Sequence, residues 1–233
     1  MKPVAIFRFS PTEGPGYFGQ WLDSRAIAWD LVALDEGAPV PSDPRVFAGI
    51  GMMGGPMSAY DDLPWIPPLC SLLRASVDAD VPVIGHCLGG QLFARALGAA
   101  VTRTRTPEIG WFDVDVCGPE GREWFGGRDR FTTFEWHYDV FELPAGATRV
   151  LTNALNPNQA YVLGNHIGFQ CHVEMTQDLL DTWCRSAGDE LAAMHGPGIQ
   201  TESEMRARLD ARLPALSRVA GDIYTRWSQG LVA

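Results

Sequence analysis

The sequence predicts an α/β fold, with a doubly wound, mostly parallel sheet that carries helices on both faces. Before Gly98, short apolar runs typical of strands alternate with segments of helical periodicity. These runs are almost continuously apolar, as expected for parallel strands buried on both faces. After Gly98, strand-like runs follow one another without long helices between them, which predicts a β-rich antiparallel extension of the sheet.

The alternating part contains four predicted strands and three predicted helices. The predicted strands are residues 3–9, 29–34, 46–53 and 81–86, and the predicted helices are residues 18–28, 66–79 and 88–97. Pro67 and Pro68 fit the first turn of the second helix, where a missing N–H is tolerated. Gly98 suits the end of the third helix.

The later part is predicted to contain four strands and then helices. The predicted strands are residues 111–117 and 132–141, followed by a hairpin of residues 161–163 and 167–172. Helices are predicted over residues 175–186 and 202–227, the second interrupted at Pro214. No repeat or linker divides the chain, so we expect one domain over residues 1–233, with 175–233 as a helical extension.

Charge and composition narrow the range of partners. A net charge of −10 argues against nucleic acid, because phosphate binding needs a basic surface. No stretch approaches the roughly 18 apolar residues of a membrane span, and Arg8 interrupts the N-terminal apolar run too early for a signal peptide. The five cysteines have no metal-type spacing, which favours reduced thiols in the cytoplasm. The sequence indicates no metal or organic cofactor, and it leaves a homo-oligomer open.

A cysteine lies on the corner between the fourth predicted strand and the next helix, in residues 85–89 (GHCLG). Glycines let strand and helix pack closely there, and the residue between them projects its side chain at the sheet edge where ligands bind. The helix N-terminus favours a thiolate at Cys87, and the N–H of Leu88 would face a developing oxyanion. The alternative is a small apolar residue in a tight turn.

His172 is the candidate base for this cysteine. Alternate side chains of an extended segment share a face, so His172 and Glu174 lie on the same side and the carboxylate can orient the imidazole. Taken alone, this pair is better explained as a surface pair at a strand end.

Two further features accompany the corner at residues 85–89, which we call the elbow. Residues 54–56 (GGP) follow the third predicted strand and can turn a backbone N–H outward, although alone they would predict only a turn. Gln91 lies one helical turn after Cys87 and shares its face, so it would contact a substrate or be an exposed helix residue.

Together these segments resemble the class I glutamine amidotransferase family. Its members share a GGP loop, a G-x-C-x-G-x-Q elbow and a late G-x-Q-x-H-P-E segment, which correspond here to residues 54–56, 85–91 and 168–174. Residues 175–233 are too few for a synthetase domain and contain no P-loop. The chain is therefore similar to free-standing members that look like the glutaminase domain of GMP synthase.

The resemblance implies a flavodoxin-like sheet and a catalytic triad of Cys87, His172 and Glu174. It also implies an oxyanion hole from the backbone N–H groups of Gly55 and Leu88. By analogy, Cys87 attacks the side-chain amide, ammonia leaves, and water hydrolyses a γ-glutamyl thioester.

Gln91 and His137 are the candidate substrate-binding residues. The resemblance places Gln91 against the glutamine part of the substrate. His137 and Asp139 share a face in a segment that family members often carry near the pocket, although a structural loop is the simpler role for His137. Val173 replaces the usual proline of the family motif and Cys171 replaces the usual aromatic residue, and neither change removes a catalytic group.

Several other polar residues are expected outside the site. His86 is expected in the core or an interface, and His166 is expected to face solvent beside a turn. Glu108 is expected as an exposed loop carboxylate. Arg103 and Arg105 are expected in a solvated turn.

Three functions fit these observations. The first is cysteine-dependent hydrolysis of glutamine or of a γ-glutamyl small molecule. The second is the same chemistry in a glutaminase subunit that supplies ammonia to a separate synthetase partner. The third is a non-catalytic thiol sensor or binding protein of the wider elbow-cysteine class. His172 and Glu174 favour the first two, since a thiol sensor would not need them.

Overall fold

The computed structural model describes residues 2–232, in which nine strands form one mixed sheet. Five strands run parallel in the order β2-β1-β3-β4-β9: β1 (Val4–Arg8), β2 (Trp29–Ala33), β3 (Gly49–Met52), β4 (Val83–Gly85) and β9 (His166–Phe169). Four strands continue the sheet beyond β9 as antiparallel pairs in the order β8-β7-β5-β6: β5 (Val101–Val116), β6 (Arg130–Phe141), β7 (Thr148–Thr152) and β8 (Ala160–Leu163). The predicted α/β class with an antiparallel extension is confirmed.

Helices cover both faces of this sheet. They are α1 (Gly16–Ser24), α2 (Ile66–Asp78), α3 (Leu88–Ala96), α4 (Gly118–Trp124), α5 (Gln177–Ser186), α6 (Gly188–Ala193), α7 (Glu202–Arg206) and α8 (Leu209–Ser228). Phe18 of α1 and Trp227 of α8 pack in one buried apolar cluster, whereas Leu69 of α2 and Phe93 of α3 pack in a second. Two clusters arise because the sheet separates its faces, and each face buries the apolar side of amphipathic helices.

Some elements were not expected from the sequence. Strand β7 and helices α4 and α6 were missed, and β5 begins at Val101 rather than at residue 111. Residues 102–106 of β5 are TRTRT, which lacks the apolar alternation that marks a half-buried strand. Only Thr102 and Arg103 of this stretch pair with β6, and the register shifts between Arg103 and Glu108.

The predicted helical interruption at Pro214 is wrong. The break between α7 and α8 falls at Ala207 and Arg208, and Arg208 adopts a left-handed conformation with φ of 59°. Pro214 lies inside α8 on an exposed position. The residue that its missing N–H would have paired with, Asp210, is also exposed, so water can satisfy that carbonyl group.

The strand order brings four loops to one edge of the sheet. Strands β1, β3, β4 and β9 are parallel neighbours, so the segments that follow them meet at their carboxyl ends. These segments contain Glu13, Gly55, Cys87 and His172, respectively. Within residues 2–232, no helix is both long and apolar enough to cross a membrane.

Candidate active site

Cys87 occupies the corner between β4 and α3 in a strained backbone conformation. Its φ of 48° and ψ of −108° belong to a region that side chains other than glycine rarely adopt. The glycines around it are required by close packing: a Cβ on Gly85 would lie 2.6 Å from the carbonyl carbon of Gly89, and one on Gly90 would lie 2.2 Å from Phe169 O. The predicted sharp elbow is therefore present.

The thiol of Cys87 lies between the elbow, β6 and the segment after β9. Its Sγ is 3.7 Å from the backbone oxygen of Trp136, and Gln170 Nε2 donates toward Sγ from 3.8 Å. Cys87 is mostly buried but lines a pocket at this sheet edge. These contacts fix the thiol while one side of it faces the pocket.

His172 and Glu174 form a buried pair beside Cys87. His172 Nδ1 donates to Glu174 Oε1 at 2.7 Å, and the backbone N–H of His172 donates to Phe134 O at 2.8 Å. The imidazole also packs edge-on against the indole of Trp183, with ring centroids 4.7 Å apart. With Nδ1 bonded to the carboxylate, Nε2 is the nitrogen left for Cys87 and a substrate.

The charges around His172 and its burial shift the pKa of His172 in opposite directions. Burial by itself lowers the pKa of His172, but the negative charges of Glu174 and Cys87, together with hydrogen bonds to both, raise that pKa well above its usual value. His172 is therefore held as an imidazolium at neutral pH when Cys87 is a thiolate.

Glu174 is the carboxylate partner of His172. Burial raises its pKa, but nearby histidines and the hydrogen bond from His172 lower it below the usual value. His86 Nε2 lies 3.9 Å from Glu174 Oε2, yet burial lowers the pKa of His86 and keeps it uncharged. We therefore assign the stabilisation of the carboxylate to His172.

Gly55 and Leu88 lie next to each other, as the sequence predicts. A Cβ on Gly55 would lie 2.6 Å from Leu88 Cδ2 and 3.3 Å from Phe9 Cβ, so the loop after β3 touches the start of α3. Within residues 2–232, the backbone N–H groups of Gly55 and Leu88 donate to no protein acceptor. Both are available to an oxyanion beside Cys87.

Gln91 is buried rather than exposed. Its Nε2 donates to the backbone oxygen of Asp139 at 3.0 Å and to Gln170 Oε1 at 3.3 Å. Gln91 also lines the pocket. Both N–H donors of the Gln91 amide are therefore occupied, and they link β6 to the segment after β9. Only the side-chain oxygen of Gln91 can bind a substrate.

His137 lies in β6, not in a loop, and it lines the pocket. Its Nε2 is 3.2 Å from Glu108 Oε2 and 3.5 Å from Glu135 Oε2. The expectation that Glu108 is an exposed loop carboxylate is wrong, because Glu108 is fully buried in β5 and accepts hydrogen bonds from Asn153 and Gln159. The pairing of β5 with β6 places it directly opposite His137.

Two more expectations are wrong. His166 is buried rather than facing solvent: its Nδ1 accepts the backbone N–H of Val83 at 3.1 Å, and burial lowers its pKa to about 4. Arg103 lies in β5, not in a solvated turn, with its guanidinium 4.6 Å from the ring centroid of Tyr138 and 3.7 Å from Asp139. His86 is in the core as expected.

The pocket at this edge has a volume of about 540 Å³. Cys87 and His172 form part of its wall, together with Thr12 and Glu13 from the loop after the first strand, which the sequence predicts to shape the pocket. The sequence did not single out these other lining residues for the site: Ser58, Arg103, Trp136, Tyr138, Trp183 and Glu190. Gln170 was also missed as a site residue, although its spacing of two from His172 could have indicated a shared face. Within residues 2–232, no cluster of His, Cys, Asp or Glu side chains is suited to a metal.

Comparisons with known proteins agree with this geometry. The model of the family "Glutamine amidotransferase class-I" matches residues 27–183. A glutamine amidotransferase-like protein of Salmonella typhimurium, YfeJ, is 32% identical over 84% of this chain and 85% of its own length. Gamma-glutamyl peptidase 4 of Arabidopsis thaliana is 29% identical over 70% of this chain and 68% of its own length.

A solved structure extends this likeness to the whole chain. The glutamine amidotransferase of Methylobacillus flagellatus superposes with a TM-score of 0.97 at 45% identity, covering 100% of this chain and 96% of that one. The shared fold and the matched family model together identify the family of this chain. The chain belongs to the class I glutamine amidotransferase family, whose members include amide-hydrolysing enzymes.

Proposed function

We propose that this protein hydrolyses the γ-amide of glutamine or of a γ-glutamyl compound, with Cys87 as nucleophile, His172 as base and acid, and Glu174 as the group that orients His172. The observation that carries the proposal is the buried His172–Glu174 hydrogen bond of 2.7 Å beside Cys87, with His172 and Cys87 lining one pocket. A thiolate beside an imidazolium is an activated nucleophile.

In the first half of the reaction, the Cys87 thiolate attacks the amide carbon and a C–S bond forms. The carbonyl π electrons move to oxygen, where the N–H groups of Gly55 and Leu88 can donate to the negative charge. His172 then gives its Nε2 proton to the amide nitrogen. The C–N bond breaks with its electron pair on nitrogen, and the amine leaves a γ-glutamyl thioester on Cys87.

In the second half, water attacks the thioester while neutral His172 takes a proton from it. The C–S bond breaks, the thiolate returns, and the γ-carboxylate of glutamate is released. Glu174 stays ionised throughout and stabilises the imidazolium whenever His172 carries two protons.

The size of the pocket favours substrates larger than glutamine. A volume of about 540 Å³ lies within the roughly 300 to 1,000 Å³ typical of pockets for drug-sized ligands. The pocket lining includes the cationic Arg103 and carboxylates such as Asp139 and Glu190. These side chains can bind the α-carboxylate and the α-ammonium of a γ-glutamyl group. Gln91 and His137 line the same wall as Asp139.

The alternative within the same chemistry is a glutaminase subunit that supplies ammonia to a separate synthetase partner. It would use the same residues, and it predicts weak hydrolysis alone with stimulation by that partner. A pure thiol sensor is disfavoured, because such a protein gains nothing from the buried His172–Glu174 hydrogen bond. In either catalytic form we propose a single domain that acts in the cytoplasm.

Steady-state hydrolysis tests this proposal. Purified protein is assayed for glutamate release from glutamine and from γ-glutamyl-alanine, alongside Cys87→Ala and Cys117→Ala. Cys117 is the matched control, since it is partly exposed, lies at the start of α4 and does not line the pocket. Loss of turnover in Cys87→Ala alone supports the proposal, whereas full turnover in that variant excludes Cys87 as nucleophile.

A further inference from the structure

Glu13 projects from the loop between β1 and α1 into the pocket that contains Cys87. The loop is held in place on both sides of Glu13. Trp183 Nε1 donates to Thr12 O at 3.0 Å, and the backbone N–H of Tyr17 donates to Glu174 O at 2.8 Å. The same two residues, Trp183 and Glu174, also contact His172, so the loop and the imidazole share their supports.

The carboxylate of Glu13 lies beside the imidazole of His172. A Cβ on Gly54 would lie 2.9 Å from Glu13 Oε2 and 3.0 Å from His172 Cε1, so both atoms border one space that a single methyl group would fill. Glu13 is partly buried. Among residues 2–232, no donor forms a hydrogen bond with its carboxylate. A carboxylate that lines the pocket and is bonded to no donor of the chain can accept a hydrogen bond from a group that binds there.

The charge state of Glu13 fits this role. Burial raises the pKa of Glu13, the charge of His172 lowers it and the charge of Glu174 raises it, and the net result is a pKa of about 7. Glu13 therefore changes protonation near neutral pH, and a donor or cation entering the pocket would favour its ionised form.

We propose that Glu13 forms the subsite for the leaving amine, where its carboxylate accepts a hydrogen bond from the nitrogen that departs from the γ-amide. This inference rests on the proposed amide hydrolysis. It deepens that function by naming the preferred substrate class, namely amides whose leaving group is ammonia or a basic primary amine, such as the α-amine of an amino acid.

The positions of the catalytic groups support this assignment. The departing nitrogen must lie near His172 Nε2 to receive a proton, while the oxyanion faces Gly55 and Leu88. Glu13 borders Gly54, the residue before Gly55, on the same side as His172.

As His172 transfers its proton and the C–N bond breaks, nitrogen gains positive charge. A carboxylate that accepts the N–H of this group stabilises that charge in the transition state more than in the neutral amide. The amine then leaves with the electron pair of the broken bond, and Glu13 is unchanged.

Comparing leaving groups tests the subsite. The substrates are γ-glutamyl-alanine, which releases a basic amine, and γ-glutamyl-p-nitroanilide, which releases a weakly basic aniline that develops little positive charge. Glu13→Gln is expected to lower kcat/KM for γ-glutamyl-alanine by roughly 10- to 100-fold, and to change that for the anilide by less than about 3-fold. Glu13→Asp should recover part of the loss.

The pH profile gives a second readout. Wild-type kcat/KM for γ-glutamyl-alanine should rise as Glu13 ionises near pH 7, and Glu13→Gln should lose that limb. The other titratable groups around this space are His172 and Glu174 after β9 and Cys87 at the elbow. Asp139, Arg103 and Glu190 also line the pocket. The pH profile of Glu13→Gln with the anilide reports the titration of the triad, since all the other titratable groups remain in that variant.

Controls separate the possible failures. Glu123→Gln, an exposed carboxylate on α4 outside the pocket, should match wild type on both substrates. Equal losses of Glu13→Gln on both substrates, or no loss on either, would overturn the subsite. If wild-type protein hydrolyses neither of these substrates nor glutamine, the proposed function itself fails. Circular dichroism establishes that each variant is folded.

Discussion

Glu174 Oε1 accepts a hydrogen bond of 2.7 Å from His172 Nδ1, and each of these side chains is only 2% exposed. The bond determines which imidazole nitrogen faces Cys87, and the buried carboxylate keeps the imidazole positively charged. We therefore propose that the reactivity of Cys87 depends on Glu174, a residue that does not touch the substrate.

Replacing Glu174 by Gln tests this dependence. The pKa of His172 should fall, because the largest factor that raises it is the charge of Glu174. A less stable imidazolium activates Cys87 less at neutral pH. We expect kcat to fall by roughly 10²- to 10⁴-fold, and iodoacetamide alkylation of Cys87 to shift to higher pH. An unchanged alkylation profile would contradict the coupling.

The strain at Cys87 predicts a conflict between stability and activity. Cys87→Ala removes the thiol but keeps a Cβ at a φ of 48°, whereas Cys87→Gly removes both. We expect Cys87→Gly to be more stable than Cys87→Ala by about 1 kcal/mol, with both variants inactive. Urea unfolding monitored by tryptophan fluorescence measures the difference, and equal stabilities would show that the elbow is relaxed.

Packing between α3 and β9 should tolerate no side chain at Gly90. A Cβ there would approach Phe169 O to 2.2 Å, while a Cβ on Gly188 would meet nothing within 4 Å. Gly90→Ala is therefore expected to destabilise the protein by about 1 to 3 kcal/mol or more, and Gly188→Ala by less than about 0.5 kcal/mol. Denaturant midpoints compare the two, and similar midpoints would refute the close contact.

His166 should make the protein sensitive to acid. Its Nδ1 accepts the Val83 N–H, so the folded protein binds the extra proton only when that bond breaks. Because the folded pKa of about 4 lies below the unfolded value near 6.5, the folded state carries fewer protons between these pH values. The contribution of His166 is complete above pH 6.5 and is lost as pH falls toward 4, by up to about 3 kcal/mol.

His166→Asn keeps an acceptor for Val83 but does not titrate, so it should flatten the fall in unfolding free energy between pH 6.5 and 4. His195→Asn is the matched control, because His195 is exposed in a loop. Parallel slopes for wild type and His166→Asn would rule out His166 as an acid-sensitive residue.

The central parts of the site could be predicted because they depend on local sequence. Residues 85–89 form the tight corner that their glycines predict. His172 and Glu174 do meet, although Val173 and Glu174 lie in a turn after β9 and not in the extended segment that the prediction assumed. The strand that precedes Cys87 is likewise marked by its own apolar residues.

Other residues could not be placed, because distant segments determine their surroundings. Glu108 is buried only through the pairing of β5 with β6 and through donors from Asn153 and Gln159. Glu13 lies in a loop rich in glycine and proline, and hydrogen bonds to Thr12 and from Tyr17 direct it toward His172. No local sequence pattern predicts these contacts.

The most direct test of the whole account is trapping with a diazo-ketone analogue of glutamine, followed by intact-mass and peptide analysis. We predict a single label on Cys87, blocked by excess glutamine or a γ-glutamyl peptide, and no label on the other four cysteines. Labelling elsewhere, or a folded protein that leaves Cys87 unlabelled, would contradict the proposal that Cys87 is an activated nucleophile in a γ-glutamyl site.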